Sequence, residues 1–148
     1  MTATLSLPDY RALSEFRYQI RKFLRFSQQI AADAGLEPRQ HQLMLAVKGL
    51  PEGRQPRIAD LAERLQIRHH SAVELVNRLA AQGYVGRQRG GSDRREVLIS
   101  LTFKGEKTLR QLSLHHRAEL RTQGPALITA LKHAMQTVQL ASTKQKRK

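Results

Sequence analysis

Between positions 68 and 78 stand seven side chains able to exchange hydrogen bonds with a polar edge: Arg68, His69, His70, Ser71, Glu74, Asn77 and Arg78. Arginine offers two donors in a fixed fork, which suits guanine O6 and N7 or a phosphate, and asparagine pairs a donor with an acceptor as adenine requires. Ser71 and His70 can each donate to a phosphate or a base. Glu74 can accept from cytosine N4, or it can orient Arg78 four residues further along a helix. Val73 can meet a thymine methyl group or pack against the preceding helix, and the residue pattern leaves both open. A second group, Arg87, Arg89, Arg94 and Arg95, brackets the glycine-rich stretch Gly90-Gly91-Ser92-Asp93. Four guanidiniums about one tight tip can grip phosphate or enter a minor groove, although a structural hairpin could carry them simply to stay solvated.

This is chemistry of recognition, and the chain carries little for bond making. It has no cysteine, which removes disulfides, thiolate nucleophiles and sulfur-ligated zinc. The six histidines are His41, His69, His70, His115, His116 and His133. Adjacent histidines point different ways along a helix, so neither pair alone makes a metal site. A site assembled across a dimer stays open, and no metal or cofactor is expected. No phosphate loop, metalloprotease motif or nucleophile–base set occurs, so an enzyme is not expected.

The elements that must position the first group are legible in the apolar spacing. Ile58, Leu61, Ala62 and Leu65 share one helical face, and Ala72, Leu75, Val76 and Leu79 repeat it. Only Gln66-Ile67 separates the two, with Ile67 as an apolar plug. Residues 58–79 thus read as a helix-turn-helix whose second helix turns the 68–78 face outward. After Gly83 the period changes. Residues 84–89 and 94–101 read as two strands about the tip, with Val97, Ile99 and Leu101 on one side. Thr102 is placed to cap the next helix.

Long helices flank this unit. Residues 1–9 read as a trailing segment in which Pro8 precedes a helix over 10–33. Leu13, Phe16, Ile20, Phe23, Leu24, Ser27 and Ala31 form its strip, and Tyr18 and Phe26 fall outside it. Either these aromatics are simply exposed on an ordinary core helix, or a second subunit covers them. Gly35 ends the helix. Glu37-Pro38 opens another, carrying Leu43, Met44, Val47 and Leu50. His41 lies off that strip and reads as a surface or semi-buried polar residue, with a ligand pocket as the functional alternative. Residues 50–56 read as loop. A helix from Phe103 is expected to break at Gly124-Pro125. A last helix follows, with Leu127, Ile128, Leu131, Met135 and Val138 as a strip that has no other obvious core to complete. The basic tail, residues 142–148, reads as short and disordered, either adding weak non-specific attraction to a nucleic acid or simply a solvated end. The expected class is mainly α with a two-stranded β-wing, a winged helix-turn-helix.

At 148 residues the chain fits one domain with a sizeable core. Its 26 Lys and Arg against 12 Asp and Glu give +14, which calls for a polyanionic partner, nucleic acid before an anionic membrane surface. No apolar run approaches the roughly 20 residues of a membrane span, and the N-terminus lacks a secretory layout, so a cytoplasmic location is expected.

The sequence resembles the MarR family of winged-helix transcriptional regulators. The resemblance rests on Asp93-x-Arg95 followed after five residues by Leu101-Thr102. It rests also on LAERLQI and VELVNRLAAQGYV, the helix pair and its exit into the wing. It implies a homodimer intertwined through its N- and C-terminal helices, residues 10–34 and 102–141, around a DNA-binding domain at 36–101. It implies double-stranded DNA with a near-palindromic operator as the partner, and sequence-specific regulation, as a repressor. The 69–78 helix would lie in the major groove, Arg95 would enter the minor groove, and Asp93 would hold the wing through a salt bridge to an arginine. The family commonly has a cleft for small aromatic acids that release DNA; Phe16, Tyr18 and His41 are the candidates for it here. His69, His70 and Ser71 replace the family's usual serines and threonines, so base preference does not transfer. Two other readings stand beside this one: a non-specific architectural nucleic-acid binder, and a winged helix that binds protein.

Overall fold

The computed structural model describes residues 3–90, 93 and 95–145, with side chains as far as residue 136. Its elements in order are α1 (Leu7–Asp33), α2 (Pro38–Lys48), α3 (Ile58–Leu65), α4 (His69–Ala81), β1 (Val85–Arg89), β2 (Val97–Leu101) and α5 (Phe103–Gln145). Gly91, Ser92 and Arg94 of the expected wing tip, the side chain of Val138 and residues 146–148 lie outside the described part.

The chain divides into two compact units. The first comprises Met1–Ser27 and His115–Lys148, the second Gln28–Leu114. In the first unit α1 begins earlier than its apolar spacing suggests, and Pro8 sits inside the first turn rather than before the helix. Ser6 and Asp9 close the end reciprocally: the Ser6 backbone N–H donates to Asp9 Oδ2 at 2.7 Å, and the Asp9 N–H donates to Ser6 Oγ at 3.4 Å. Proline is tolerated there because its missing donor would be unpaired anyway. His116 lies 2.9 Å from Ser27 Oγ and meets the Phe26 ring edge-on.

The expected break at Gly124-Pro125 does not occur: α5 runs unbroken for 43 residues with Pro125 inside it. Proline removes one backbone bond and crowds the preceding turn, a local cost of about 3 kcal/mol. Its ring also clashes with the Cβ of the residue before it. Gly124 has no Cβ, so the pair that reads as a stop removes one of the clashes proline creates.

The second unit holds the main core. Leu43, Met44, Leu61, Val76, Leu79 and Ile99 are each almost wholly buried. They come from α2, α3, α4 and β2 and form one cluster with Leu36, Val85, Leu109 and Leu112. Burying each such side chain stabilises by roughly 1.5–3 kcal/mol. Helix α2 opens on a capping box in which Glu37 and Gln40 satisfy each other's backbone N–H groups. His41 is 2% exposed, so the surface or semi-buried expectation for it is corrected. The cause is that α2 meets α3, α4 and β2, so more than its Leu43/Val47 strip is covered.

Strands β1 and β2 pair antiparallel, with Val85 opposite Leu101 and Arg89 opposite Val97. A further bridge joins Arg57 to Leu98, and the Ile99 N–H donates to the Pro56 carbonyl at 2.9 Å. The end of the 50–56 loop therefore covers the outer edge of β2.

Candidate nucleic-acid interface

The turn between α3 and α4 is set by Gln66, which has φ 54° and ψ 46° and is the one described non-glycine residue at positive φ. Its side-chain amide donates to the Glu63 carbonyl at 2.7 Å, and the Ile67 N–H closes on the Ala62 carbonyl at 3.0 Å. Ile67 packs half-buried against the core, as a plug between two helices must. Four buried residues of α4, Ala72, Leu75, Val76 and Leu79, face inward. Arg68, His69, His70, Glu74, Asn77 and Arg78 are exposed, while Ser71 and Val73 are half-buried at the border. The N-terminus of α4 has no acidic residue in its first turn and no side-chain cap from Arg68. Its positive dipole end is left to solvent and to anions.

Two of the outward residues have partners. Arg78 forms an ion pair with Glu37 at 3.2 Å, joining α4 to the start of α2. Both side chains are more than half exposed, so the pair adds little stability and yields readily to a phosphate. Arg87, on β1, donates to Asn77 Oδ1. Asn77 is thereby engaged in holding the strand to α4, with its own amide donors still available.

In the wing, Arg87, Arg89 and Arg95 are exposed. Arg94, expected to share their role, lies outside the described residues. Asp93 Oδ1 accepts the Arg95 backbone N–H at 3.0 Å, its carbonyl accepts the Glu96 N–H at 3.1 Å, and Gly90 N–H donates to the Glu96 carbonyl at 2.8 Å. The ion pair at the wing's base joins Arg57 to Glu96 at 3.0 Å. Sequence reasoning did not single out Arg57; it ends a proline-punctuated loop, and no periodicity marks its pairing with β2.

The wing's other end is fixed by Thr102. Its hydroxyl donates to the Gly83 carbonyl at 2.6 Å and accepts the Gly105 N–H at 3.1 Å, while its backbone N–H donates to the Tyr84 carbonyl at 3.0 Å. Lys104 Nζ donates to the Gln82 carbonyl at 2.8 Å and sits 4.4 Å from the centre of the Tyr84 ring. The expected cap at Thr102 is present, and it also ties the exit of α4 to the start of α5.

Of the residues considered for a small-ligand cleft, Phe16 is half-buried and Tyr18 exposed on α1 in the first unit, whereas His41 is buried in the second. Among the described residues no group of three or more His, Cys, Asp or Glu side chains is placed to hold a metal ion. Among them, too, no helix is long and apolar enough to cross a membrane.

A buried helix pair, an outward polar face on its second helix and an arginine-bearing hairpin define a winged helix-turn-helix. Residues 34–96, somewhat under half of the chain, match the model of the MarR family. The match gives family-level support for DNA-binding transcriptional regulation. Solved structures share the fold over most of the chain. AbsC of Streptomyces coelicolor, a MarR-family transcriptional regulator, is similar at 20% identity and a TM-score of 0.72, covering 99% of this chain and 100% of its own. A point mutant of S. aureus MepR, bound to an oligodeoxyribonucleotide, is similar at 15% identity and a TM-score of 0.62, covering 90% and 95%. Bordetella bronchiseptica BpsR, whose DNA binding is regulated by 6-hydroxynicotinic acid, is similar at 18% identity and a TM-score of 0.61, covering 83% and 89%. No curated protein sequence matches the chain.

Proposed function

We propose that the protein is a homodimeric, sequence-specific double-stranded DNA-binding regulator that represses transcription from a near-palindromic operator. The observation that carries this reading is the division of α4. Ala72, Leu75, Val76 and Leu79 are buried, and the donors and acceptors from Arg68 to Arg78 are turned outward beside the wing arginines. In this reading α4 lies in the major groove, and Arg95 reaches the minor groove or its phosphates. Dimerisation through α1 and α5 is supported by apolar side chains that a single chain leaves exposed, among them Leu13, Tyr18 and Leu24 of α1 and Ile128, Leu131 and Met135 of α5. A dimer sets its two recognition helices against half-sites about 34–36 Å apart.

The test begins with selection of bound duplexes from a random pool, followed by fluorescence anisotropy across a salt series. A selected inverted repeat should bind far more tightly than random duplex. Arg95→Ala should weaken binding and lower the salt slope by about one. Equal affinity for all duplexes would leave a non-specific architectural binder, and no duplex binding at low salt would leave a protein-binding winged helix. Release by a small aromatic acid belongs to the same proposal, supported by the fold shared with BpsR. Titration of the protein–operator complex with such acids should lower the anisotropy.

A further inference from the structure

Beside the outward face of α4 runs an open groove of about 490 Å³, which the recognition reading does not use. Leu45 and Ala46 of α2, Leu65 and Ile67 at the turn, and Arg39 and Arg64 are among the residues that line it. A second hollow, sharing Arg39, Gln66 and Ile67, continues it to Arg68 and Ser71 at the start of α4. Arg39, Arg64 and Arg68 therefore border one continuous surface contributed by three helices. Glu63 is the one carboxylate that lines either hollow.

In their pairing these arginines differ from four other cations of the unit. Lys48, Arg54, Arg57 and Arg78 each face a carboxylate within 4 Å. Among the described residues no ion pair engages Arg39, Arg64 or Arg68. A chain at +14 that leaves three guanidiniums unpaired around one groove presents a strong local positive potential there. The occupant it fits is polyanionic and must be reachable while Arg68 and Ser71 face the DNA.

We infer that Arg39 and Arg64 form a second phosphate-gripping edge of the DNA interface, which holds the duplex backbone beside the major groove entered by α4. The inference rests on the DNA-binding reading above and extends it to residues outside α4 and the wing. Arg39 reaches out from the first turn of α2, and Arg64 from the last turn of α3. Both stand on the surface that continues to Arg68 at the start of α4. Contacts of this kind fix register on the duplex and carry no base information.

The experiment is a salt series of duplex binding by the full-length protein, with the selected operator and a random duplex of equal length. Both arginines are exposed, so Arg39→Ala/Arg64→Ala is expected to keep the wild-type circular dichroism spectrum and melting temperature. The double variant should reduce the magnitude of the salt slope by about two. It should weaken operator and random duplex by the same factor, with the operator preference unchanged. Arg39→Lys/Arg64→Lys keeps both charges and should restore the slope. A double alanine variant with the wild-type slope would overturn this inference alone, since wild-type binding would still stand. It would point instead to a small organic anion in the groove. Failure of the wild-type protein to bind any duplex would overturn both readings.

Discussion

Replacing Gly105 with alanine tests how firmly the wing is tied to the first turn of α5. By helix propensity alone the change should help, because alanine is favoured over glycine within a helix by about 0.8–1.0 kcal/mol. The packing predicts the opposite. A Cβ at Gly105 would stand 2.1 Å from the Tyr84 carbonyl oxygen and 3.5 Å from Leu101 Cβ. Tyr84 cannot simply turn away. Its carbonyl accepts the Thr102 N–H at 3.0 Å, and its own N–H donates to the Leu79 carbonyl at 2.9 Å. The helix must therefore lift from β1 by about 1 Å, a displacement of the overpacking kind that costs about 1–3 kcal/mol. The lift also stretches the Thr102 cap, worth about 1 kcal/mol. Set against the propensity gain, the net loss is about 2 kcal/mol, or a fall in Tm of roughly 4–8 °C for a chain of this size. Thermal unfolding followed by far-ultraviolet circular dichroism measures it, and anisotropy with the operator should show weaker binding as the wing shifts. An unchanged or raised Tm would refute the reasoning, because the propensity term would then outweigh a contact too loose to matter.

Two further outcomes follow from the same unit. Asn77→Ala should weaken operator binding evenly across site positions, and its effect should be non-additive with Arg87→Ala by about 0.5–1 kcal/mol in a double-mutant cycle; loss confined to one base pair would show that Asn77 reads a base instead of holding Arg87. Gln66→Val, a β-branched residue at φ 54°, should cost about 1–2 kcal/mol in chemical denaturation, whereas Gln66→Gly should stay within about 0.5 kcal/mol of wild type, and equal stabilities for the two would refute the left-handed turn.

What was legible in the sequence divides along physical lines. The helix pair, the plug at Ile67, the first wing strand and the cap at Thr102 follow from periodicity and local backbone chemistry, and they stand where those signals put them; the second strand ends at Leu101 as expected but begins at Val97, later than the expected 94. Three further features did not follow in this way. The start of α1 depends on a reciprocal Ser6–Asp9 bond, present in the sequence as Ser-x-x-Asp but overshadowed by Pro8. The continuity of α5 depends on what Gly124 lacks. The burial of His41 depends on how many elements surround α2, which no single-helix pattern reveals. Pairings between distant exposed residues, Arg57 with Glu96 and Arg87 with Asn77, were illegible for a related reason: their partners lie 39 and 10 residues away, and no repeat links them.

The carbonyls at the exit of α4 show how the interface is held together. Those of Gln82, Gly83 and Tyr84 are taken in turn by the Lys104 ammonium, the Thr102 hydroxyl and the Thr102 N–H. All three acceptors follow α4, and the donors belong to Thr102, which caps α5, and to Lys104 in its first turn. The same few residues also launch β1 and close β2, so α4, the wing base and the first turn of α5 meet in one knot of hydrogen bonds. Arg87 adds a side-chain tie from the strand back to Asn77. Separating the wing from α4 would break several of these bonds at once, whereas moving them together breaks none. The outward face of α4 and the wing arginines are therefore expected to travel as one body with the start of α5.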